Sequence, residues 1–138
     1  MGSHEVILLD THVLIWAVGG ERKLGLKTRK LIDRLWAAGQ VAVPAIAFWE
    51  IGMLQARGRL KLPVPLREWR NEVLLAGAIE LPIDGEVAIR ALGLAGLPED
   101  PADRFIVATA IMNDAALITA DEKLLGWSNV LERHDARL

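Results

Sequence analysis

Short apolar runs alternate with amphipathic stretches along almost the whole chain. Val6-Ile7-Leu8-Leu9 is continuous in its apolar character, which predicts a strand buried on both faces. Thr11 to Val18 follows as a short helix, broken at Gly19-Gly20. In the stretch Leu26 to Ala38, the residues Leu31, Ile32, Leu35 and Trp36 recur at three- and four-residue spacing, the signature of an amphipathic helix that Gly39 then stops. Val41-Ala42-Val43 is strand-like, and Pro44 reads as the first residue of the next helix, which carries Ile46, Trp49, Glu50, Met53 and Leu54 and runs out near Gly58. Pro63 and Pro65 mark a loop, with Pro65 at the first turn of a helix reaching Leu75. Ile79 to Leu81 is a short strand, and Asp84 caps a helix from Gly85 to Leu94. Pro101 to Met112 is helical, Ala116 to Thr119 a strand, Glu122 to Leu125 a helical turn and Val130-Leu131 an edge strand.

That alternation predicts an α/β fold with a parallel sheet covered by helices on both faces. No repeat, linker or low-complexity tract interrupts it, so residues 1–138 are read as one domain.

Four acids stand where strands hand over to helices, or shortly inside those helices. Asp10 ends the first apolar run, and Glu50 lies about two turns after Val43. Asp103 opens the helix from Pro101, and Asp121 follows the strand ending at Thr119. In an open parallel sheet the carboxyl ends of the strands share one edge, where ligands bind. Asp10, Asp103 and Asp121 each have a bland explanation, because Asp is a preferred N-cap and the helix dipole favours acids in the first turn. Glu50 does not. It stands in mid-helix among Ile46, Phe48, Trp49, Ile51 and Met53, where it is either solvent-facing or needs a partner. Four carboxylates at one edge repel one another unless a cation joins them, which points to a divalent-metal site. Mg²⁺ and Mn²⁺ prefer carboxylate oxygens, and the chemistry they support is phosphodiester hydrolysis. Thr11 and Thr119 sit beside the acids with hydroxyls that either orient a carboxylate or cap a helix.

Composition narrows the partners. The 138 residues are 52% hydrophobic and contain no cysteine, which removes disulfides, thiolate zinc sites and a cysteine nucleophile. A cysteine-free chain fits a reducing compartment, and the expected location is the cytoplasm. No apolar run approaches the roughly 20 residues of a membrane span. Met1-Gly2-Ser3-His4 lacks signal-peptide character and reads in part as a cloning remnant. The formal net charge of −2 means that contact with nucleic acid must rest on local patches. The densest is Arg57, Arg59 and Lys61, followed by Arg67 and Arg70, in a region that equally suits a solvated helix end.

Other chemistry is weakly represented. There is no P-loop and no GxGxxG, and His4, His12 and His134 have no metal-ligand spacing. His12 reads as a helix residue turned away from Asp10, and the five tryptophans as core or interface residues. A phosphatase of the haloacid dehalogenase type also opens on a strand ending in Asp, but it requires a second Asp two residues later, where this chain has His12.

The segments LLDTHVLIWA, AIAFWEIG, DPADRFIVATA and LITADEKL resemble the four acidic blocks of the PIN domain, and more closely those of VapC-type toxin ribonucleases. The resemblance runs from Val6 to about Val130. It implies a three-layer α/β/α sandwich with a central parallel sheet of about five strands. It implies that Asp10, Glu50, Asp103 and Asp121 bind Mg²⁺ or Mn²⁺ and act as the catalytic acids of an endoribonuclease. In the third block Asp100 and Asp103 are both candidates. Asp103 is favoured because it directly precedes the apolar helix run, which leaves Glu99 and Asp100 as capping or supporting residues. The resemblance further implies an RNA substrate, a homodimer, and a cognate VapB-like antitoxin that packs in an apolar groove and is the route to any DNA contact. A catalytically silent PIN-like scaffold is the competing reading.

Glu50 to Leu66 adds a separate indication of a partner surface. Ile51, Met53, Leu54, Leu60 and Leu62 make this stretch too apolar to face water throughout, so it covers either a partner or the domain's own core.

Overall fold

The computed structural model describes residues 6–128 and 131–138. Met1 to Glu5 and Asn129-Val130 lie outside the described residues, and with them His4 and half of the expected Val130-Leu131 strand. Five strands, β1 (Ile7–Leu9), β2 (Val41–Pro44), β3 (Ile79–Leu81), β4 (Ala116–Thr119) and β5 (Arg133–Asp135), form one sheet in the order β3-β2-β1-β4-β5. Every neighbouring pair is parallel, with Ile7 beside Val41, Leu8 beside Leu117, Val43 beside Glu80 and Ile118 beside His134. Seven helices are interleaved: α1 (Thr11–Gly19), α2 (Leu26–Ala37), α3 (Ile46–Ala56), α4 (Leu66–Leu75), α5 (Gly85–Leu92), α6 (Pro101–Met112) and α7 (Glu122–Leu125).

Alternation of side chains along the strands divides the interior into two cores. Ile7, Leu9, Val41, Val43 and Ile118 face one side and pack with Val13, Leu14, Ile32, Leu35, Ile51 and Trp69 from α1 to α4. Leu8, Ala42 and Leu117 face the other and pack with Val87 and Ala91 of α5, Ile106 and Val107 of α6, and Leu124 and Trp127. Because both faces are covered, the central strands are apolar without interruption. The architecture is therefore the expected α/β/α sandwich.

Three elements differ from the sequence reading. Pro44 ends β2 rather than opening α3. It is paired with Leu81, and Ala45 N–H donates to the Leu81 carbonyl (2.9 Å), so extended pairing persists until the helix begins at Ile46. A proline costs no ladder bond at a strand end where its neighbour supplies the donor. The last described strand is the polar run Arg133-His134-Asp135, and Leu131, the described half of the expected Val130-Leu131 strand, lies outside it. Leu117 N–H donates to the Glu132 carbonyl and Ala136 N–H to the Thr119 carbonyl, both at 2.9 Å, so the main chain sets this edge. Leu131 is instead buried in the second core. The apolar stretch after Glu50 is mostly covered from within: Ile51 is fully buried, and Leu60, Leu62 and Leu66 pack against the first core. Met53 and Leu54, half-buried like Leu60 and Leu62, are not among the residues packed on either core.

Two contacts fasten the periphery. Arg70 of α4 grips Glu80 of edge strand β3 through two N–H groups (2.6 and 2.9 Å) while lying 5.7 Å from the Phe48 ring centroid, so this arginine is committed to structure. At the start of α2, Thr28 N–H donates to the Leu138 carbonyl (2.9 Å), which satisfies one of the helix's unpaired N-terminal donors. Gly25 makes that approach possible, because a Cβ at this position would stand 2.0 Å from the Leu138 carbonyl oxygen. Gly25→Ala therefore forces the last residues off the helix and should cost about 2 kcal/mol of stability, read by urea denaturation. Unchanged stability would show that this backbone seat can shift freely.

A candidate active site at the carboxyl edge of the sheet

In the order β3-β2-β1-β4-β5 the direction of winding reverses between β1 and β4, and the crevice beyond their carboxyl ends is the ligand position of an open parallel sheet. Asp10 lies at the end of β1 and Asp121 just past the end of β4. Asp10 N–H donates to the Ile118 carbonyl (3.2 Å), which ties the two strands together at their exits.

Asp10 is only 7% exposed, and both of its carboxylate oxygens are engaged. Oδ1 accepts from Val13 N–H (2.9 Å), the N-cap bond of α1. Oδ2 accepts from the Thr119 hydroxyl (2.5 Å). The capping role and the site position thus coincide in one residue. Burial raises its pKa above the ordinary carboxyl range, the bonds from Thr119 and Val13 oppose that rise, and the charge of Asp121 adds to it.

Glu50 is brought to the same place by α3, which enters directly from β2. The hydroxyl of buried Thr11 donates to Glu50 Oε1. A residue of the first turn of α1 therefore fixes an acid 39 positions later. The pKa of Glu50 is raised mainly by desolvation, with Asp100 and Asp10 contributing repulsion against the Thr11 bond and the charge of His12.

Asp103 sits in the first turn of α6. Its pKa is pushed up to about 7, first by desolvation and then by the charges of Asp100, Asp121, Glu50 and Asp10. Asp100 caps the same helix, its Oδ1 accepting from Ala102 N–H (3.0 Å) and Asp103 N–H (3.4 Å). Asp121 caps α7 through Lys123 N–H (2.8 Å), and its own N–H donates to the Thr119 oxygen (3.0 Å). Thr119 thus connects Asp10 and Asp121 through a single hydroxyl.

All seven candidate residues but Thr119 line one cavity of about 330 Å³, and Thr119 stands behind it as the donor to Asp10. His12, expected to turn away from Asp10, is exposed on the cavity wall. Trp16, read as a core or interface residue, lines the cavity too, with its ring centroid 6.3 Å from that of His12. The signal for both was local. Asp10 caps α1, so the first turn of that helix opens onto the strand edge, and residues 12 and 16 share a face.

The oxygen-only acidic donor set suits a hard divalent cation, which takes one or two carboxylates and keeps several waters. Among the described residues no group of three or more acidic or histidine side chains stands close enough together to hold a metal ion as placed.

A PIN domain family model matches residues 7–126, and the chain belongs to the PIN domain family. It is 34% identical over 119 residues to Ribonuclease VapC22 of Mycobacterium tuberculosis (strain ATCC 25618 / H37Rv), covering 86% of this chain and 88% of that protein. Among solved structures it is similar to a toxin–antitoxin complex from Klebsiella pneumoniae, with TM-score 0.60, 22% identity and coverage of 88% and 92% of the two chains. It is also similar to VapBC2 from Rickettsia felis bound to a DNA fragment from their promoter, with TM-score 0.65, 15% identity and coverage of 94% and 97%. At these identities the structural likeness carries the fold.

The raised carboxyl pKa values have a consequence for stability. Folding favours the protonated form of Asp103, so in the metal-free protein the folded state is least burdened below about pH 4. It loses stability as the pH rises from there to about 7. Asp103→Asn should be close to neutral at pH 4. At pH 8 it should stabilise the metal-free protein by about 1 kcal/mol, a figure already discounted for the site's contact with water. Thermal melts in EDTA at the two pH values measure this, and equal effects at both would contradict the electrostatic account.

Proposed function

We propose that this chain is a metal-dependent endoribonuclease that hydrolyses RNA phosphodiester bonds as the toxin of a toxin–antitoxin pair. The observation that carries the reading is the convergence of Asp10, Glu50, Asp103 and Asp121, from four separate segments, on one cavity at the strand-order reversal. Membership of the PIN domain family and the likeness to a named ribonuclease support it.

Asp10, Glu50, Asp103 and Asp121 are the residues proposed to hold Mg²⁺ or Mn²⁺, with Asp100 as the capping neighbour. Asp103 is favoured over Asp100 as the ligand of α6, because the charges of Asp121, Glu50 and Asp10 all act on it. Bound there, the cation would supply a lowered water pKa, a polarised phosphoryl group and charge stabilisation at the leaving oxygen. The protein's own part is placement. Val13 N–H and the Thr119 hydroxyl fix the plane of the Asp10 carboxylate, and Thr11 fixes Glu50. Desolvation and mutual repulsion make the acids unfavourable as bare anions, so cation binding relieves a cost that folding imposed.

The partners follow from the same reading. The substrate is RNA, met in the cytoplasm. The inhibitor is a VapB-like antitoxin, which also mediates any contact with DNA. The active unit is a homodimer, although Ile51 lies in the chain's own core and Leu60 and Leu62 pack against it, so this apolar stretch does not itself supply the interface.

Purified protein should cut a mixed RNA pool with Mn²⁺ or Mg²⁺ and stop in EDTA. Asp10→Asn and Asp103→Asn should each lower cleavage by 100-fold or more while remaining folded, an order of magnitude typical of losing a group that stabilises developing charge. Mn²⁺ should also raise the melting temperature of the unsubstituted protein by mass action, and less so that of Asp103→Asn. Full cleavage by both variants would overturn the site assignment. Metal-independent melting together with no cleavage would identify a silent scaffold.

A further inference from the structure

Beside the acidic cavity lies a second recess of about 330 Å³, and the two share His12, Glu50 and Asp100 along their common wall. Its outer wall is a face of α3 and its C-cap. Trp49, Met53 and Arg57 follow one another at four-residue spacing, a row about 12 Å long that leads away from the acids. Trp49 is 59% exposed, unusual for the largest apolar side chain on a protein with two complete cores. Arg57 is exposed and joins no ion pair among the described residues, in contrast to Arg70 and Arg137. On its other side His12 borders a third recess that carries Trp16, Lys23 and Arg59. The acidic cavity therefore lies between two hollows that each hold an aromatic ring and at least one cation.

This arrangement matches the chemistry of a single-stranded polyanion. An indole face stacks on any base, and a guanidinium beyond it meets a phosphate. A carboxylate pocket repels that phosphate chain unless cations flank it, and on a chain of net charge −2 those cations must be local. A protein helix is a poorer fit. It would require several apolar anchor pockets along a groove, whereas this recess is one short hollow in which Trp49, Met53 and Leu54 lie between the Arg57 guanidinium and two carboxylates.

We infer that the Trp49–Arg57 recess holds one unpaired nucleotide of the RNA next to the bond that is cut, its base on the Trp49 ring and its phosphate against Arg57. The inference rests on the ribonuclease reading above. Trp49 and Arg57 are binding residues in it, not members of the acidic site.

The test uses the full chain carrying Asp10→Asn, in Mn²⁺, so that the RNA is bound but not consumed. Fluorescein-labelled single-stranded RNA dodecamers of A, C or U are the probes, beside a dodecamer of abasic ribose phosphates. Adding Trp49→Ala should weaken binding of the base-bearing dodecamers by roughly 5- to 150-fold, leave the abasic one within twofold, and be largely rescued by Trp49→Phe. Arg57→Gln should weaken both kinds alike and lower the salt-dependence slope by about one. The exposure of Trp49 means that its removal should leave the melting temperature within a few degrees.

Unchanged RNA affinity in Trp49→Ala overturns the inference while the nuclease reading stands, provided that the unsubstituted protein cuts RNA. If Trp49→Ala keeps its RNA affinity but loses a purified protein partner, the recess is a protein-docking site and the inference is likewise overturned. Failure of the Asp10→Asn protein to bind any dodecamer, with no cleavage by the unsubstituted protein, overturns both readings together.

Discussion

The carboxylate of Asp10 is the point on which the site's geometry depends. An ionised group this deeply buried is tolerated only when its oxygens are satisfied. Here the start of α1 supplies one donor and the end of β4 the other, across 109 residues of chain. The bond to Val13 starts α1 in the direction that delivers Thr11 to Glu50, and the Thr119 hydroxyl that binds Asp10 also receives Asp121 N–H. Three of the four acids are therefore oriented through two threonines, and only Asp103 is left to the dipole of its own helix and the charges around it. Desolvation, followed by the charges of Asp100, Asp121, Glu50 and Asp10, pushes the Asp103 pKa up to about 7.

Such a cluster is electrostatically unfavourable, and the fold carries it because the two cores are independent of it. Leu8, Leu9, Val41 and Leu117 are fully buried on either side of the sheet, and their packing does not require any acid to be ionised. Burial of this kind stabilises by about 1.5–3 kcal/mol for each large side chain, enough that a few kcal/mol of carboxylate repulsion is affordable. The sheet order does the rest. With β1 at the centre, its exit and that of β4 diverge into a crevice, so the acids meet in a cavity and not inside the core.

Much of this was legible in the sequence because it is periodic or punctuated. The run Val6 to Leu9, the spacing of Leu31, Ile32, Leu35 and Trp36, and the caps at Asp84 and Asp100 are local signals, and β1, α2, α5 and α6 formed where they indicated. The convergence of the four acids was legible for a topological reason: in a parallel sheet every strand exit lies on one edge. What was not legible depends on pairing or packing between distant segments. Pro44 belongs to a strand because Leu81 lies beside it, and Arg133-His134-Asp135 is a strand because β4 offers a free edge; neither partner is encoded nearby. The apolar residues Leu60 and Leu62 looked like a partner surface because the core that covers them comes from elsewhere in the chain. The lines between Thr11 and Glu50, and between Thr119 and Asp10, were anticipated only as hydroxyls near acids.

The exposure of aromatic side chains is the property that local patterning handles worst. Trp49 and Trp69 both lie on amphipathic helices and look alike in sequence, yet Trp69 is 4% exposed and Trp49 is 59% exposed. Ala47, Phe48 and Ile51 form the core face of α3, and position 49 is turned past the edge of that face toward water. The same rotation carries Met53 and Arg57 into line with Trp49. A helix that presents an acid to a shared cavity thereby presents a strip of other residues along the cavity's rim. On this chain that strip combines an indole with a guanidinium that joins no ion pair among the described residues, and net charge conceals it: a total of −2 is the sum of a concentrated acidic pocket and cations placed locally around it. For a phosphate chain approaching within a Debye length of about 10 Å, those local cations weigh more than the sum.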